Sequence, residues 1–359
     1  MKIGIVVGTR PEIVKMAPVV RACVERGVPH VLLHTGQHYS FDMDGVFFRE
    51  LELPPPHVNL EVGSGTPAHQ IGHIVLDLEP VLRETRPDVL LVEGDTNSVL
   101  AAALCAQKSG IAVGHVEAGL RSYDRTMPEE INRLLTDQLS DWLFAPTETS
   151  RRILLGEGLP PGRIHVTGNT VVDELLRQRD RAARPGLFER FGVEPGRYAL
   201  ATVHRAENTD RPERLRGVFA GLAGAARALG LPVLAALHPR TTARLAQQGV
   251  ALDGALRVLP PLPYLDFLGL HARAALVLTD SGGLQEEACA LRVPCVTLRD
   301  NTERPESVEV GANLLAGADP EAIVAAARSM AARPRDWPNP FGDGHAGRRI
   351  VDLLLGAAA

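Results

Sequence analysis

The sequence predicts an α/β protein built as two similar halves with a cleft between them. Three observations lead there. The chain has 359 residues, more than one hydrophobic core usually serves, so two domains are expected. Short runs of Val, Ile and Leu alternate with longer segments of helical period, the pattern of helices layered on parallel sheets. A strand, a glycine-containing turn and a helix also follow one another in each half, around Gly8 and around Gly282–Gly283.

In the first half, 3–7, 31–34, 89–92, 112–116, 142–145 and 164–167 read as strands, apolar enough to be covered on both faces. Between the second and third of these, Thr66 is the N-cap of a helix and Pro67 its first residue. Ile71, Ile74, Val75 and Leu78 continue that helix at its period, and Pro80 is expected to kink or end it. Residues 177–197 are charged and carry Pro185, Gly186, Pro195 and Gly196, so the chain crosses between domains near here. A second series of strands follows at 198–202, 232–236, 256–258, 275–279 and 295–298, with a last helix over 345–355. The expected division is 1–172, with the terminal segment 345–359 packing back on it, and 173–344.

Hydrophobic residues make up 45% and charged residues 23%, ordinary for a globular enzyme and ample for large cores. A net charge of -5 argues against an extended nucleic-acid footprint, although a few local cations suffice for a small anionic ligand. The first apolar run, Ile3 to Val7, is too short for a leader, and no stretch approaches the ~20 apolar residues of a membrane span. Cys23, Cys105, Cys289 and Cys295 form no C-x-x-C pair and sit among Ala, Val and Leu, as reduced core thiols of a cytoplasmic protein do.

Two loops suit anions. In Gly8-Thr9-Arg10-Pro11-Glu12-Ile13-Val14-Lys15, glycine permits the turn, proline fits the first helical position, and the helix N-terminus, Arg10 and Lys15 favour negative charge. In Thr279-Asp280-Ser281-Gly282-Gly283-Leu284-Gln285-Glu286-Glu287, two glycines let backbone N–H groups approach a diphosphate and Ser281 adds a donor. Glu287 stands about one turn into the helix, where it can accept ribose hydroxyls, while Glu286 points elsewhere. The plainer account of each is an ordinary strand–helix turn with capping side chains and solvated charges. Neither loop is a G-x-G-x-x-G fingerprint with its ribose-binding acid, and G-x-x-x-x-G-K-[ST] is absent, so nicotinamide and P-loop chemistry are disfavoured. Without a seat for a hydride carrier, chemistry through a transient ketone is disfavoured too.

Acids and histidines then gather at strand ends: Asp95 in Glu93-Gly94-Asp95-Thr96, Glu117 in His115-Val116-Glu117, Glu129 and Arg133 in the helix opened by Pro128, His204 in Val203-His204-Arg205, and His238 before Pro239. Singly, Asp95 reads as an N-cap, Glu129 as a dipole partner and His204 as a loop histidine. Jointly they fall on the edge where an α/β sheet places its active site. H-E-x-x-H spacing is absent, so no catalytic metal is expected.

On these residues the chain resembles the non-hydrolysing UDP-N-acetylglucosamine 2-epimerases. The likeness runs from Gly8 to about Gly317 and rests on GTRPEIVKMAPV, TGQH, VEGDTNS, GHVEAGLRS, PEEINR, VTGN, HRAEN, DSGGLQEE and RDNTERPE, in that order. It implies two Rossmann-like domains facing a central cleft, the architecture of GT-B-type glycosyltransferases and epimerases, usually as a homodimer. It also implies reversible inversion at C2 of UDP-N-acetylglucosamine through loss of UDP and a 2-acetamidoglucal, with no cofactor. Acid/base residues match Asp95, Glu117 and Glu129, and a diphosphate-proximal histidine matches His204. UDP-sugar contacts match Arg10, Lys15, Arg133, Phe267, Ser281, Gly282, Gly283, Glu287 and Arg304. Gln37, His38, Arg205, Asn208 and His238 form a second tier.

This sequence departs from the family pattern in places. Leu262 stands where some relatives have a glutamine beside the uracil, so that contact is expected from the backbone. His238-Pro239-Arg240-Thr241 replaces a His-x-Asn-Pro, and the arginine that some relatives use around a second, activating UDP-N-acetylglucosamine is absent from His73-Ile74-Val75. A related substrate, such as a UDP-2,3-diacetamido-hexuronate, therefore stays open. So do a UDP-sugar glycosyltransferase, a hydrolysing variant and a non-catalytic nucleotide-sugar sensor. Three acids on one edge argue against the transferase, for which a single base normally suffices, and against the sensor.

Overall fold

A computed structural model describes residues 1–37, 41–250, 252, 254–260 and 262–357. The chain forms two compact units, one of residues 1–174 with 341–359 and the other of 175–340. The first unit holds strands β1 (Ile3–Val7), β2 (His30–His34), β3 (Val58–Asn59), β4 (Val89–Glu93), β5 (Ala112–Val116), β6 (Trp142–Ala145) and β7 (Ile164–Val166), in the spatial order β3-β2-β1-β4-β5-β6-β7. The second holds β8 (Ala199–Thr202), β9 (Val233–Ala236), β10 (Leu256–Leu259), β11 (Leu276–Thr279), β12 (Cys295–Thr297) and β13 (Asn313–Leu315), ordered β10-β9-β8-β11-β12-β13. Every paired strand runs parallel to its neighbour. The predicted α/β class with two parallel sheets is the one observed.

The order matters more than the count. The chain turns back at β1 beside β4, with Ile3 opposite Val89, and again at β8 beside β11, with Ala199 opposite Leu276. Two neighbouring strands whose connections leave in opposite directions open a crevice at their carboxyl ends, where such sheets bind ligands. Central strands β1 and β4 are buried along their whole length, which the runs of Ile, Val and Leu satisfy. Two strands lay outside the sequence expectation. β3 and β13 are sheet edges of two and three residues, too short for an apolar run to mark them.

Thr66 caps the helix Pro67–Thr85 by accepting from His69 N at 3.4 Å. That helix does not end at Pro80 but continues to Thr85. Pro80 and Leu76 are exposed, so the carbonyl that loses its intrahelical donor faces water and the break need not propagate. The last helix, Ala346–Ala357, belongs to the first unit. Asp173 accepts from Ala346 N at 3.0 Å and Gly347 N at 2.9 Å, satisfying donors that a helix start leaves open. A Cβ on Gly347 would stand 2.7 Å from the carbonyl carbon of Pro18, so only glycine lets this helix approach helix Arg10–Glu25 so closely. All four cysteines are buried and free. Among the described residues no helix is long and apolar enough to cross a membrane.

Candidate active site

In the first unit the site grows from the ends of β1, β4 and β5. Gly8 ends β1 and has no room for a side chain, since a Cβ would lie 2.3 Å from both Ser98 Oγ and Thr35 Oγ1. Its N–H donates to Glu12 Oε2 at 2.5 Å, folding that carboxylate back over the turn. Glu12 is buried, and burial pushes its pKa up to about 7 against hydrogen bonds from Thr96, Gly8 and Thr9 that lower it. One turn along, Lys15 Nζ lies 2.9 Å from Glu93 Oε1 and 2.6 Å from Glu117 Oε2. Glu93 is the last residue of β4 and is 1% exposed; burial above all holds its pKa well above the usual range, with Lys15 pulling down and Glu117 pushing up. Glu117 also accepts from Asn169 Nδ2 at 2.9 Å. Its backbone is left-handed, φ 69°, a conformation a non-glycine residue keeps only where the surroundings enforce it, and such strain gathers at functional sites.

A second network begins two residues beyond Glu93. Asp95 does not cap the following helix; Thr96 does, accepting from Val99 N at 3.4 Å. Asp95 instead pairs with Arg133, whose other nitrogen lies 3.1 Å from Glu130 Oε2. Asn132 donates to the Asp95 carbonyl at 2.9 Å and to Asn97 Oδ1 at 3.3 Å, and Asn97 donates in turn to Gln70 at 2.9 Å. Gln37 is buried and accepts from Ser98 N and Oγ at 3.2 and 2.6 Å. Glu129 sits half-buried in the first turn of helix Pro128–Leu139. Arg10 lies 5.1 Å from the centroid of the Phe47 ring. His38 falls outside the described residues.

Beneath this edge the buried side chains of His115, Asp137 and Arg121 fix β5. His115 shares a 2.6 Å contact with Asp137 Oδ1 through Nδ1 and stands 2.8 Å from the Gly94 carbonyl through Nε2. Arg121 donates to Asp137 at 2.6 Å and to Glu157 at 2.6 Å. Burial raises the Asp137 carboxyl, but His115 and Arg121 outweigh it and its pKa lies below the usual range.

The second unit repeats the plan at β8 and β11. Asp280 follows β11 and is fully buried. It accepts from His204 N at 3.0 Å, Arg205 N at 3.0 Å and Asn208 Nδ2 at 3.2 Å, and lies 3.0 Å from His204 Nδ1. Burial raises its carboxyl, yet these donors prevail and hold the pKa below the usual range. His204 is thereby oriented through Nδ1, leaving Nε2 on an exposed edge. Ser281 caps helix Gly282–Ala290 by accepting from Leu284 N at 3.5 Å. A concave pocket of about 330 Å³ gathers His204, His238, Leu262, Phe267 and Ser281 from separate stretches of the chain. Glu287 lies 3.5 Å from His271 Nδ1, and the His271 ring packs 6.0 Å from that of Phe267. Glu286 turns into the unit and takes Arg304 Nε at 2.7 Å; Arg304 is buried there.

Sequence reasoning passed over Glu12, Glu93, Asn169 and Asp280 as site residues. A signal existed for Glu93 and Asp280, each an acid at the end of a largely apolar strand. None existed for Asn169, which reaches Glu117 only through the fold.

A sequence model of the UDP-N-acetylglucosamine 2-epimerase family matches residues 21–355. Over 361 residues the chain is 48% identical to a UDP-N-acetylglucosamine 2-epimerase of Methanocaldococcus jannaschii, with 99% of each chain covered. It is 41% identical over 359 residues to a UDP-2,3-diacetamido-2,3-dideoxy-D-glucuronate 2-epimerase of Pseudomonas aeruginosa, again with 99% of each covered. The crystal structure of Methanocaldococcus jannaschii UDP-GlcNAc 2-epimerase in complex with UDP-GlcNAc and UDP matches with a TM-score of 0.92 at 48% identity, covering 99% of this chain and 100% of that one.

Proposed function

Because the chain belongs to the UDP-N-acetylglucosamine 2-epimerase family, and is on that account an epimerase, we propose that it interconverts UDP-N-acetylglucosamine and UDP-N-acetylmannosamine by elimination and re-addition of UDP. The C2 hydrogen leaves as a proton while the C1–O bond to the diphosphate breaks, which forms 2-acetamidoglucal and UDP. UDP then re-adds at C1 as a proton is delivered to the other face of C2. The C2–H has no ring carbonyl beside it, so its acidity is poor and stabilisation of the departing diphosphate carries much of the barrier.

The observation that carries this reading is the crowd of carboxylates at the carboxyl ends of β4 and β5. Glu93 and Glu117 meet on Lys15, and Asp95 is held by Arg133. Acid and base at one carbon require more than one proton-carrying group on the same edge. The first unit then serves hydrogen transfer, through Asp95, Glu117 and Glu129. The second serves the nucleotide, through the pocket of His204, Phe267 and Ser281, the N–H groups of Gly282 and Gly283, and Glu287 at the ribose.

The test is incubation with UDP-N-acetylglucosamine in deuterated buffer, followed by proton NMR. Product carrying deuterium at C2, with no acceptor present, is the expected result. Product unlabelled at C2 rules out the elimination route. The 41% identity to the Pseudomonas aeruginosa relative supports a second substrate class, the 2,3-diacetamido-hexuronates, and the same assay with that nucleotide sugar decides between them.

A further inference from the structure

Glu93 is given no chemical step above, yet it is more enclosed than either group it meets. Its side chain is 1% exposed, against 5% for Glu117 and 14% for Lys15. The titratable groups that face it are Lys15 and Glu12 from helix Arg10–Glu25 and Glu117 from the turn after β5, with Asp95 adding charge next to Glu12. Lys15 bridges the two glutamates at 2.9 and 2.6 Å. One ammonium between two carboxylates leaves a net negative charge if both ionise, and a buried site of that kind relieves the charge by keeping a proton.

We propose that Glu93, Lys15 and Glu117 hold one surplus proton between them, and that Glu93 stores it so that Glu117 is refilled through Lys15 rather than from bulk water. The transfer balances. Lys15 gives one N–H proton to Glu117, forming an O–H bond there, and takes the proton of Glu93, whose O–H bond breaks. The ammonium is restored, and the negative charge has moved from Glu117 to Glu93. Asn169 donates to the same Glu117 oxygen that faces Lys15, at 2.9 Å, which orients the ionised carboxylate toward the relay. Glu93 touches no substrate in this scheme; it is a positioning residue that acts through Lys15. The upward displacement of the Glu93 pKa by burial is in keeping with a stored proton.

The inference rests on the reading that Glu117 exchanges protons with the sugar, so two measurements separate the two. The first needs no substrate: ¹³C NMR of the side-chain carboxyls in the unliganded, glutamate-labelled protein, assigned with Glu93→Gln and Glu117→Gln. Two separated steps are expected, the upper one above the ordinary carboxylate range and missing in Glu93→Gln. If both carboxyls titrate singly in the ordinary range, the shared proton is disproved whatever the enzyme acts on. The second is the pH profile of kcat. Glu93→Gln is expected to lower kcat by about 10-fold or more with KM within about 3-fold, and to lose the alkaline limb of the wild type. Glu93→Asp keeps a carboxylate and is expected to keep that limb, and it carries the test if the glutamine variant fails to fold. An alkaline limb that persists unchanged in Glu93→Gln, or vanishes in Glu93→Asp, overturns the proposal. A wild type that fails to epimerise UDP-N-acetylglucosamine sinks the functional reading alone, and the carboxyl titration still judges the relay.

Discussion

Replacing Asp280 by asparagine tests the second unit where its geometry is tightest. The carboxylate accepts from His204 N at 3.0 Å, Arg205 N at 3.0 Å and Asn208 Nδ2 at 3.2 Å, and stands 3.0 Å from His204 Nδ1. Asparagine keeps one acceptor oxygen and turns an amide N–H₂ toward the remaining donors. Hydrogen bonds to a charged group contribute about 1.5–3 kcal/mol each, so losing two of them costs about 3–6 kcal/mol. Burying a neutral amide is easier than burying a carboxylate, which brings the expected net loss to about 2–4 kcal/mol. Amide exchange at His204 and Arg205 reads this locally, and the loss corresponds to a fall in protection of about 30- to 1,000-fold. Acid sensitivity should change as well. The pKa of Asp280 is depressed in the fold, so its contribution is present above the unfolded value of about 3.9 and is lost as pH falls through the folded value. The variant should lack that component of acid unfolding. Protection at both amides within about 3-fold of wild type would refute the assignment of Asp280 as the anchor of His204, because that is less than one kcal/mol of change.

Three further outcomes are expected. Glu12→Gln should flatten the pH dependence of stability: the folded carboxyl sits at about 7, so its contribution is full below about pH 4.3 and falls by about 3 kcal/mol as pH rises through 7, and urea titrations that keep the wild-type slope between pH 5 and 8 contradict this. Arg121→Met strips the buried Asp137 of its guanidinium partner and should cost about 3–5 kcal/mol by calorimetry, with a loss under about 1 kcal/mol showing that His115 and the Gly119 N–H satisfy the buried charge. Asp95→Asn should keep UDP affinity within about 3-fold while turnover falls by about 10²- to 10⁴-fold, and turnover near wild type removes Asp95 from the acid/base set.

The fold was legible wherever burial on both faces left its mark in composition. The central strands are mostly apolar runs, and the structure places all 11 strands expected from the sequence within a residue or so. The exceptions share a cause. β3 and β13 lie at sheet edges, where two or three residues pair on one side only and no apolar pattern is required. Pro80 reads as a break because a helix interior normally needs its N–H, but at an exposed position water takes the orphaned carbonyl of Leu76 and the helix runs on to Thr85. Strand order was not legible. Nothing in a list of strands says that β1 lies beside β4 and β8 beside β11, and those two adjacencies choose which turns face the crevice.

The site shows where local rules stop discriminating. After β4 the chain reads Asp95-Thr96, and after β11 it reads Asp280-Ser281; in both, either residue is a good helix cap by composition. In both, the hydroxyl takes the capping role, Thr96 from Val99 N and Ser281 from Leu284 N. The aspartate is thereby released from local duty and engages a side chain from elsewhere in its own unit, Arg133 in the first and His204 in the second. A capping pair of acid and hydroxyl at the carboxyl end of a switch-point strand thus leaves the acid available, whichever residue the sequence favours as the cap. The same logic explains why Glu93 escaped notice. Its partner Lys15 is supplied by a distant turn of helix Arg10–Glu25, so the sequence shows an acid at a strand end but not the cation that holds it.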